Sequence, residues 1–303
     1  MNPPNKNEVE SQLEQLTQLG YRFTEPLKTR EKFADELSPE KLIKAIVLDT
    51  ETTGLDASTD KIIELGMVAF EFCPRTGQAY RVLGTFNELE DPGFSIPQES
   101  TKVHGITDEM VARKAIKDED VLEFIKDVRL VIAHNAKFDR QFVEARFPIF
   151  QNLSWACSHA QIPWNEEGIS SSKLEFLAYR FGFHYEGHRA SNDCFALLEV
   201  LQKEFPESKT LVMKRLIESL LKKEVKISAL DAHYDKKEAL KKRRYFWDGK
   251  VWAKTLPLEE LESEVEWLRA EIYNNRPFKL EQEEITPKNR FSIRKNSTTV
   301  SNY

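Results

Sequence analysis

The segment VLDTETTG at residues 47–54 places two carboxylates two positions apart. Alternate side chains of an extended strand share a face, so Asp49 and Glu51 project together from the carboxyl end of the apolar run AIVL. An unpaired charge beside a buried run is costly, and a cation held by both acids removes that cost. Asp139 follows in AHNAKFDRQF, in the opening turns of a helix, and GHRASNDCFALL sets His188 ahead of Asp193 across another helix start. Each of these has an ordinary reading by itself: a carboxylate favoured by the helix dipole, a loop histidine satisfied by hydrogen bonds. Together, four hard oxygen donors on a strand end and two helix starts, with a histidine close by, form the set that two Mg²⁺ or Mn²⁺ ions require. Two such ions, roughly 3.5–4 Å apart, activate a water and stabilise the leaving oxygen of an in-line phosphodiester displacement. Histidine, with an unperturbed pKa of roughly 6.5, is suited to take the proton from that water. The chemistry implied is phosphodiester hydrolysis.

DTETTG, HNAKFD and HRASND, in this order and spacing, resemble the three exonuclease motifs of the DEDDh group, the DnaQ-like 3′→5′ exonucleases. The resemblance covers roughly residues 45 to 202. It implies a ribonuclease H-like fold, with Asp49, Glu51, Asp139 and Asp193 as the metal-site acids, Asp49 shared between the ions, and His188 as general base. VHGIT at 103–107 and DKIIELGMV at 60–68 resemble further family segments. By the same resemblance Thr52, Thr53, His104 and Asn135 contact the terminal nucleotide, while Gly54 serves backbone geometry. Polarity rests on the resemblance alone. The polar amino-terminal extension, WACS, GHRASNDC and the later YFWDGKVW are similar to a group of bacterial stand-alone exonucleases with a small C-terminal module. Cys194, where small residues are usual, and Arg244, where glycine is expected, depart from that pattern. The catalytic core is shared with the epsilon subunit of DNA polymerase III and with RNase T, so a proofreading subunit and a 3′ exoribonuclease are the alternative readings. A non-catalytic nucleic-acid-binding protein is disfavoured because no acid is missing.

The elements that must position these residues are legible as periodicities. AIVLD, IIELGMVAFEF and YRVLGTF read as consecutive strands and LVIAH as a buried fourth. AKFDRQFVEARF, SKLEFLAYRFG and NDCFALLEVLQKEF carry apolar residues at helical spacing. The fold class expected is α/β: a mixed sheet flanked by helices over residues 45–205, with a small β-hairpin and helix module at 231–280. Residues 1–44 read as a helical extension, 206–230 as a linker helix and 281–303 as a disordered tail. Within the module, RRYFWDGKVWAK reads as a hairpin turning on Asp248-Gly249, and LPLEELESEVEWLRAEIY as an amphipathic helix.

The net charge of −6 over 303 residues runs against a polyanionic partner, yet residues 208–244 hold twelve Lys or Arg against five Asp or Glu. A chain acidic overall can be basic on one surface, and the partners expected are single-stranded nucleic acid, DNA ahead of RNA, and replication or repair proteins. Three cysteines without a CxxC pair argue against a disulfide framework and a structural zinc site. No apolar run approaches the roughly 20 residues of a spanning helix, and the N-terminus lacks a signal pattern, so no membrane is expected and the cytoplasm is.

Overall fold

The computed structural model describes residues 5–34, 40–294 and 296–303. Helix α1 (Lys6–Gln18) leads into an extended stretch whose residues Glu25–Pro26 pair in parallel with Phe183–His184. Leu13 and Leu16 of α1 are each 37% exposed. Part of the 1–44 extension lies outside the described residues.

The central sheet contains β1 (Ile43–Thr52), β2 (Ile62–Phe72), β3 (Ala79–Leu89), β4 (Val128–Ala133) and β5 (Ser154–Cys157) in the order β3-β2-β1-β4-β5. The first three form an antiparallel meander, and β4 and β5 join in parallel. Parallel pairing demands crossovers, which here bring helices onto both faces. After β3 come α2 (Gln98–His104), α3 (Ala136–Arg146), α4 (Leu174–Arg180), α5 (Ala190–Leu201) and α6 (Val212–Leu220). β1 is accordingly apolar on both sides. Ala45 and Val47 pack with Leu177, Leu197 and Leu216 of α4, α5 and α6, whereas Ile46 and Leu48 pack with Phe142 and Val143 of α3. This is the mixed, helix-covered sheet expected of a ribonuclease H-like fold.

The remainder of the chain departs from expectation in three places. The segment 206–230 is not a continuous linker helix, because β6 (Glu224–Ala229) becomes the middle strand of a second sheet. Its side chains alternate, Val225, Ile227 and Ala229 inward, Glu224, Lys226 and Ser228 outward, a period masked by the neighbouring lysines. The tail is not disordered: β9 (Lys279–Ile285) and β10 (Thr299–Asn302) join β7 (Phe246–Trp247) and β8 (Trp252–Pro257) in the antiparallel order β10-β9-β6-β8-β7. Glu281 and Glu283 face away from the core, and Glu283 lies opposite Lys226, so an acidic stretch folds as a strand. The hairpin turns one residue later than Asp248-Gly249, since the Asp248 N–H donates to the Val251 carbonyl at 3.1 Å and leaves Gly249-Lys250 between them. Trp247 pairs with Trp252, and Asp248 accepts at Oδ1 from the backbone N–H groups of Lys250 and Val251, each at 2.9 Å. Helices α7 (Lys237–Lys242) and α8 (Leu261–Trp267), with the turn that continues α8, cover one face through Leu240, Val265, Leu268 and Ile272. Among the described residues no helix is long and apolar enough to cross a membrane.

Residues 286–294 strap the two sheets together. The carbonyl of Pro287 accepts the Trp155 N–H of edge strand β5 at 2.8 Å. Arg140, fully buried, donates to Glu144 at 2.7 Å and to the carbonyls of Arg290 and Lys288 at 2.7 and 2.5 Å. Arg290 in turn binds Glu224 of β6 at 2.7 Å. Removing one partner from such a buried network leaves the others without compensation. Arg140→Ala should therefore destabilise the protein by about 3 kcal/mol in chemical denaturation, and a loss below about 1 kcal/mol would show that the strap holds without it.

Candidate active site

Asp49 and Glu51 end β1 on one face, as the strand period requires. In the register with β2, Asp49 lies opposite Gly66 and Glu51 opposite Glu64. A β-carbon on Gly66 would stand 2.5 Å from the carbonyl carbon of Ala190, so the absent side chain lets the first turn of α5 rest on the sheet there. That contact carries Asp193 to the acid pair. It also explains Cys194, which is buried with its thiol 3.4 Å from the Gly66 carbonyl. Asp139, in the first turn of α3, approaches from the other side, and its Oδ1 accepts from the Thr50 N–H at 3.2 Å and hydroxyl at 2.9 Å. Asp193 accepts from the Tyr185 hydroxyl at 2.9 Å and the Arg189 N–H at 3.2 Å.

One oxygen each from Asp49, Glu51 and Asp193 fall within 4.8 Å of one another. These three and Asp139 line a cleft of about 390 Å³ that also takes in Asn135, His159 and His188. Burial, then the charges of Asp139, Asp193 and Glu51, push Asp49 well above the carboxylate range. Burial and Asp193 raise Glu51 to about 8. Asp139 rises to about 7 through burial, against the opposing hydrogen bonds from Thr50, and Asp193 rises for the same reason against Tyr185. The Arg189 guanidinium is engaged by Glu64 at 3.0 Å, and Lys173 lines the cleft. A set of hard oxygen donors left in mutual repulsion fits divalent cations of the Mg²⁺ class.

His188 sits exposed at the cleft with φ 63°, its Nε2 3.7 Å from Glu175 Oε1. The loop that carries it is tied down by Glu64, outside the three acid-bearing motifs but within the DKIIELGMV segment. Glu64 is completely buried and accepts from Arg189, from the Ala190 N–H at 3.1 Å and from Asn87 at 3.0 Å. The signal for Glu64 was present as the single charge inside the apolar run IIELGMV. Of the four residues assigned to the terminal nucleotide, Asn135 lines the cleft. Thr52 and Thr53 are buried, and their hydroxyls donate to the Gly54 carbonyl at 2.6 Å and to Asp60 at 3.1 Å. His104 is buried at the end of α2, where Nδ1 accepts from the Ile106 N–H at 3.0 Å and Nε2 has no partner among the described residues. A β-carbon on Gly54 would meet Asp60 at 2.5 Å, in keeping with its geometric role.

The family model described as Exonuclease (RNase_T) matches residues 46–201. The DNA polymerase III subunit epsilon of Treponema pallidum is 33% identical over 161 residues, which are 50% of this chain and 72% of that protein. The PolC-type DNA polymerase III of Thermotoga maritima is 28% identical over 179 residues, 57% of this chain but only 13% of that much longer protein. Among solved structures, Exonuclease X in complex with 5′ overhanging duplex DNA is 22% identical, covers 58% of this chain and 98% of that one, and superposes with a TM-score of 0.42.

The raised carboxyls make stability depend on pH with a definite sign. Glu51 at about 8 and Asp139 at about 7 bind protons in the folded state that the unfolded chain has released. Without metal, stability should fall as pH rises from about 4 to about 8. Divalent cations select the ionised acids, so they should raise the melting temperature more at about pH 8 than at about pH 5. Thermal melts in EDTA and in Mn²⁺ test this; an EDTA profile that climbs through the window, or no cation effect at the upper end, would reject the assignment.

Proposed function

The chain belongs to the exonuclease family, and from that premise we propose that it is a two-metal 3′→5′ exonuclease of the DEDDh type, acting on single-stranded nucleic acid, DNA ahead of RNA. The observation that carries this reading is the convergence of Asp49, Glu51 and Asp193 within 4.8 Å, with Asp139 on the same cleft. Asp49 would be shared between two Mg²⁺ or Mn²⁺ ions, with Glu51, Asp139 and Asp193 completing their protein ligands. Ions bound there would supply Lewis acidity to a phosphoryl oxygen and lower the pKa of an attacking water.

The chain's own residues do the rest. Thr50 and Tyr185 fix the rotamers of Asp139 and Asp193, so two ligands are oriented before substrate arrives. Glu64 holds Arg189, and with it the loop on which His188 reaches the cleft. His188 accepts the water's proton at an imidazole nitrogen. Asn135, which lines the cleft before α3, would contact the terminal nucleotide together with Thr52, Thr53 and His104. The similarity to an epsilon subunit over 72% of its length keeps a polymerase-associated role as the second reading. A second folded sheet beyond residues 46–201 favours an independent enzyme of repair or processing.

Asp49→Ala and Asp193→Ala should abolish hydrolysis while the fold survives, since each removes a ligand and no core packing. His188→Ala should lower kcat by roughly a hundredfold with little change in KM. Strands of DNA and of RNA labelled at the 5′ end should shorten stepwise from the far end in Mg²⁺, DNA faster. Near-normal turnover in either aspartate variant, or immediate release of the labelled nucleotide, would defeat the proposal.

A further inference from the structure

Resting on the reading that the chain degrades nucleic acid, we propose that the hairpin of the second sheet docks the strand upstream of its reacting end, with Phe246 as a stacking platform. Phe246 and Trp247 form the whole of β7, an edge strand, and are 49% and 55% exposed, whereas the preceding Tyr245 is buried and stacks on Trp267. Successive residues of a strand face opposite ways. Trp247 accordingly meets Trp252 edge-on at 5.6 Å, and Phe246 turns to the other face of the sheet. There it lines a cleft of about 900 Å³ together with Lys226, Lys250, Ala160 and Gln161.

Ala160 and Gln161 follow directly on His159, which lines the catalytic cleft. The two clefts are thus separated by one short turn of chain, and a strand leaving the acids past His159 comes next to Phe246. The charges of the cleft are largely paired, so that the exposed ring and Lys250 are what it offers to a strand. Of the acids lining the larger cleft, Glu224 is paired with Arg290 at 2.7 Å and Glu283 with Lys226 at 4.0 Å, while Glu281 and Asp248 are held by the Thr298 hydroxyl and by backbone N–H groups. Lys250 lies exposed in the turn after Phe246 and lines the same cleft, while of the basic run before Tyr245, Lys241 is paired with Glu238 at 3.4 Å and Arg243 with Glu264 at 3.2 Å, on the side of the covering helix. Stacking on an aromatic ring is sequence-tolerant because every base has a π-face, which suits an enzyme that must pass any sequence through one cleft.

The test uses the full chain with Phe246→Ala and, as the conservative variant, Phe246→Tyr. Because Phe246 is exposed on an edge strand, neither change removes core packing. Fluorescence anisotropy in EDTA would read the Kd for a single strand of about 20 nucleotides and for a dinucleotide. Phe246→Ala should weaken the long strand about five- to tenfold and the dinucleotide less than about twofold, with Phe246→Tyr near wild type. In Mg²⁺ the KM for the long strand should rise in parallel while kcat is nearly unchanged. An unaltered Kd for the long strand, an equal loss on both lengths, or a change in oligomeric state without a change in Kd would overturn the proposal. Dinucleotide turnover by the wild type reports separately on the exonuclease reading, so that strand binding without turnover would reject that reading and leave the docking surface standing.

Discussion

Everything else in the catalytic half answers to one constraint, the repulsion among carboxylates that the fold forces together. At an effective dielectric of about 20, two unit charges about 4.8 Å apart repel by roughly 3 kcal/mol, and Asp49 faces Glu51 and Asp193 at about that range. The starts of α3 and α5 carry Asp139 and Asp193, but a helix dipole offsets only about 0.3–1 kcal/mol per charge. Hydrogen bonds from Thr50, Tyr185 and the Arg189 N–H add to that without neutralising anything. The protein's own groups are therefore too weak to balance the site. Either protons stay on the acids, as the raised Glu51 and Asp139 describe, or divalent cations replace them. Catalysis needs the second state, and the site is built so that its metal-free form is the less comfortable one near neutral pH.

Holding repelling groups together requires rigid supports, and these come from backbone geometry. Gly66 admits α5 to the sheet at the position opposite Asp49, so the third acid arrives by helix packing and not by a flexible side chain. Glu64 then does for the loop what Gly66 does for the helix. It is the residue opposite Glu51, it is wholly buried, and it binds Arg189 and the first N–H of α5. Burying that carboxylate would be prohibitive without its full set of donors. The position of His188, one residue before Arg189, is thus set from the same three-residue stretch of strand, Glu64 to Gly66, that faces Asp49 and Glu51.

What could be read from the sequence followed the range of the interactions. Asp49 and Glu51 share a face by the strand period, and Asp139 and Asp193 lie at helix starts by their apolar neighbours, so the acids and the sheet that bears them were legible locally. The bond between Glu64 and Arg189 joins residues 125 positions apart and has no local signature beyond one charge in an apolar run. The second sheet was harder for the same reason. β6 and β9 are strands whose outward positions carry Lys and Glu, so that each looks solvated until Lys226 and Glu283 are set side by side. Its hairpin was legible as a hairpin, but the position of the turn depends on where the Asp248 carboxylate finds donors, which residue types alone do not specify.

The attachment of the second sheet runs through the same helix that supplies one of the acids of the cleft. On α3, Asp139 points to the cleft and the next residue, Arg140, is sealed under the 286–294 strap by the carbonyls of Lys288 and Arg290. The strap also occupies the edge of the catalytic sheet, where the Trp155 N–H would otherwise lie open to another strand. From Arg290 the network continues to Glu224, the first residue of the middle strand of the second sheet. Two buried arginines therefore fix the second sheet relative to α3, and so relative to the acids. A module hung on a flexible linker could sample many orientations. One fastened through α3 holds its exposed hairpin beside the exit of the cleft, and that fixed juxtaposition, more than the composition of the hairpin, makes it part of the same working surface.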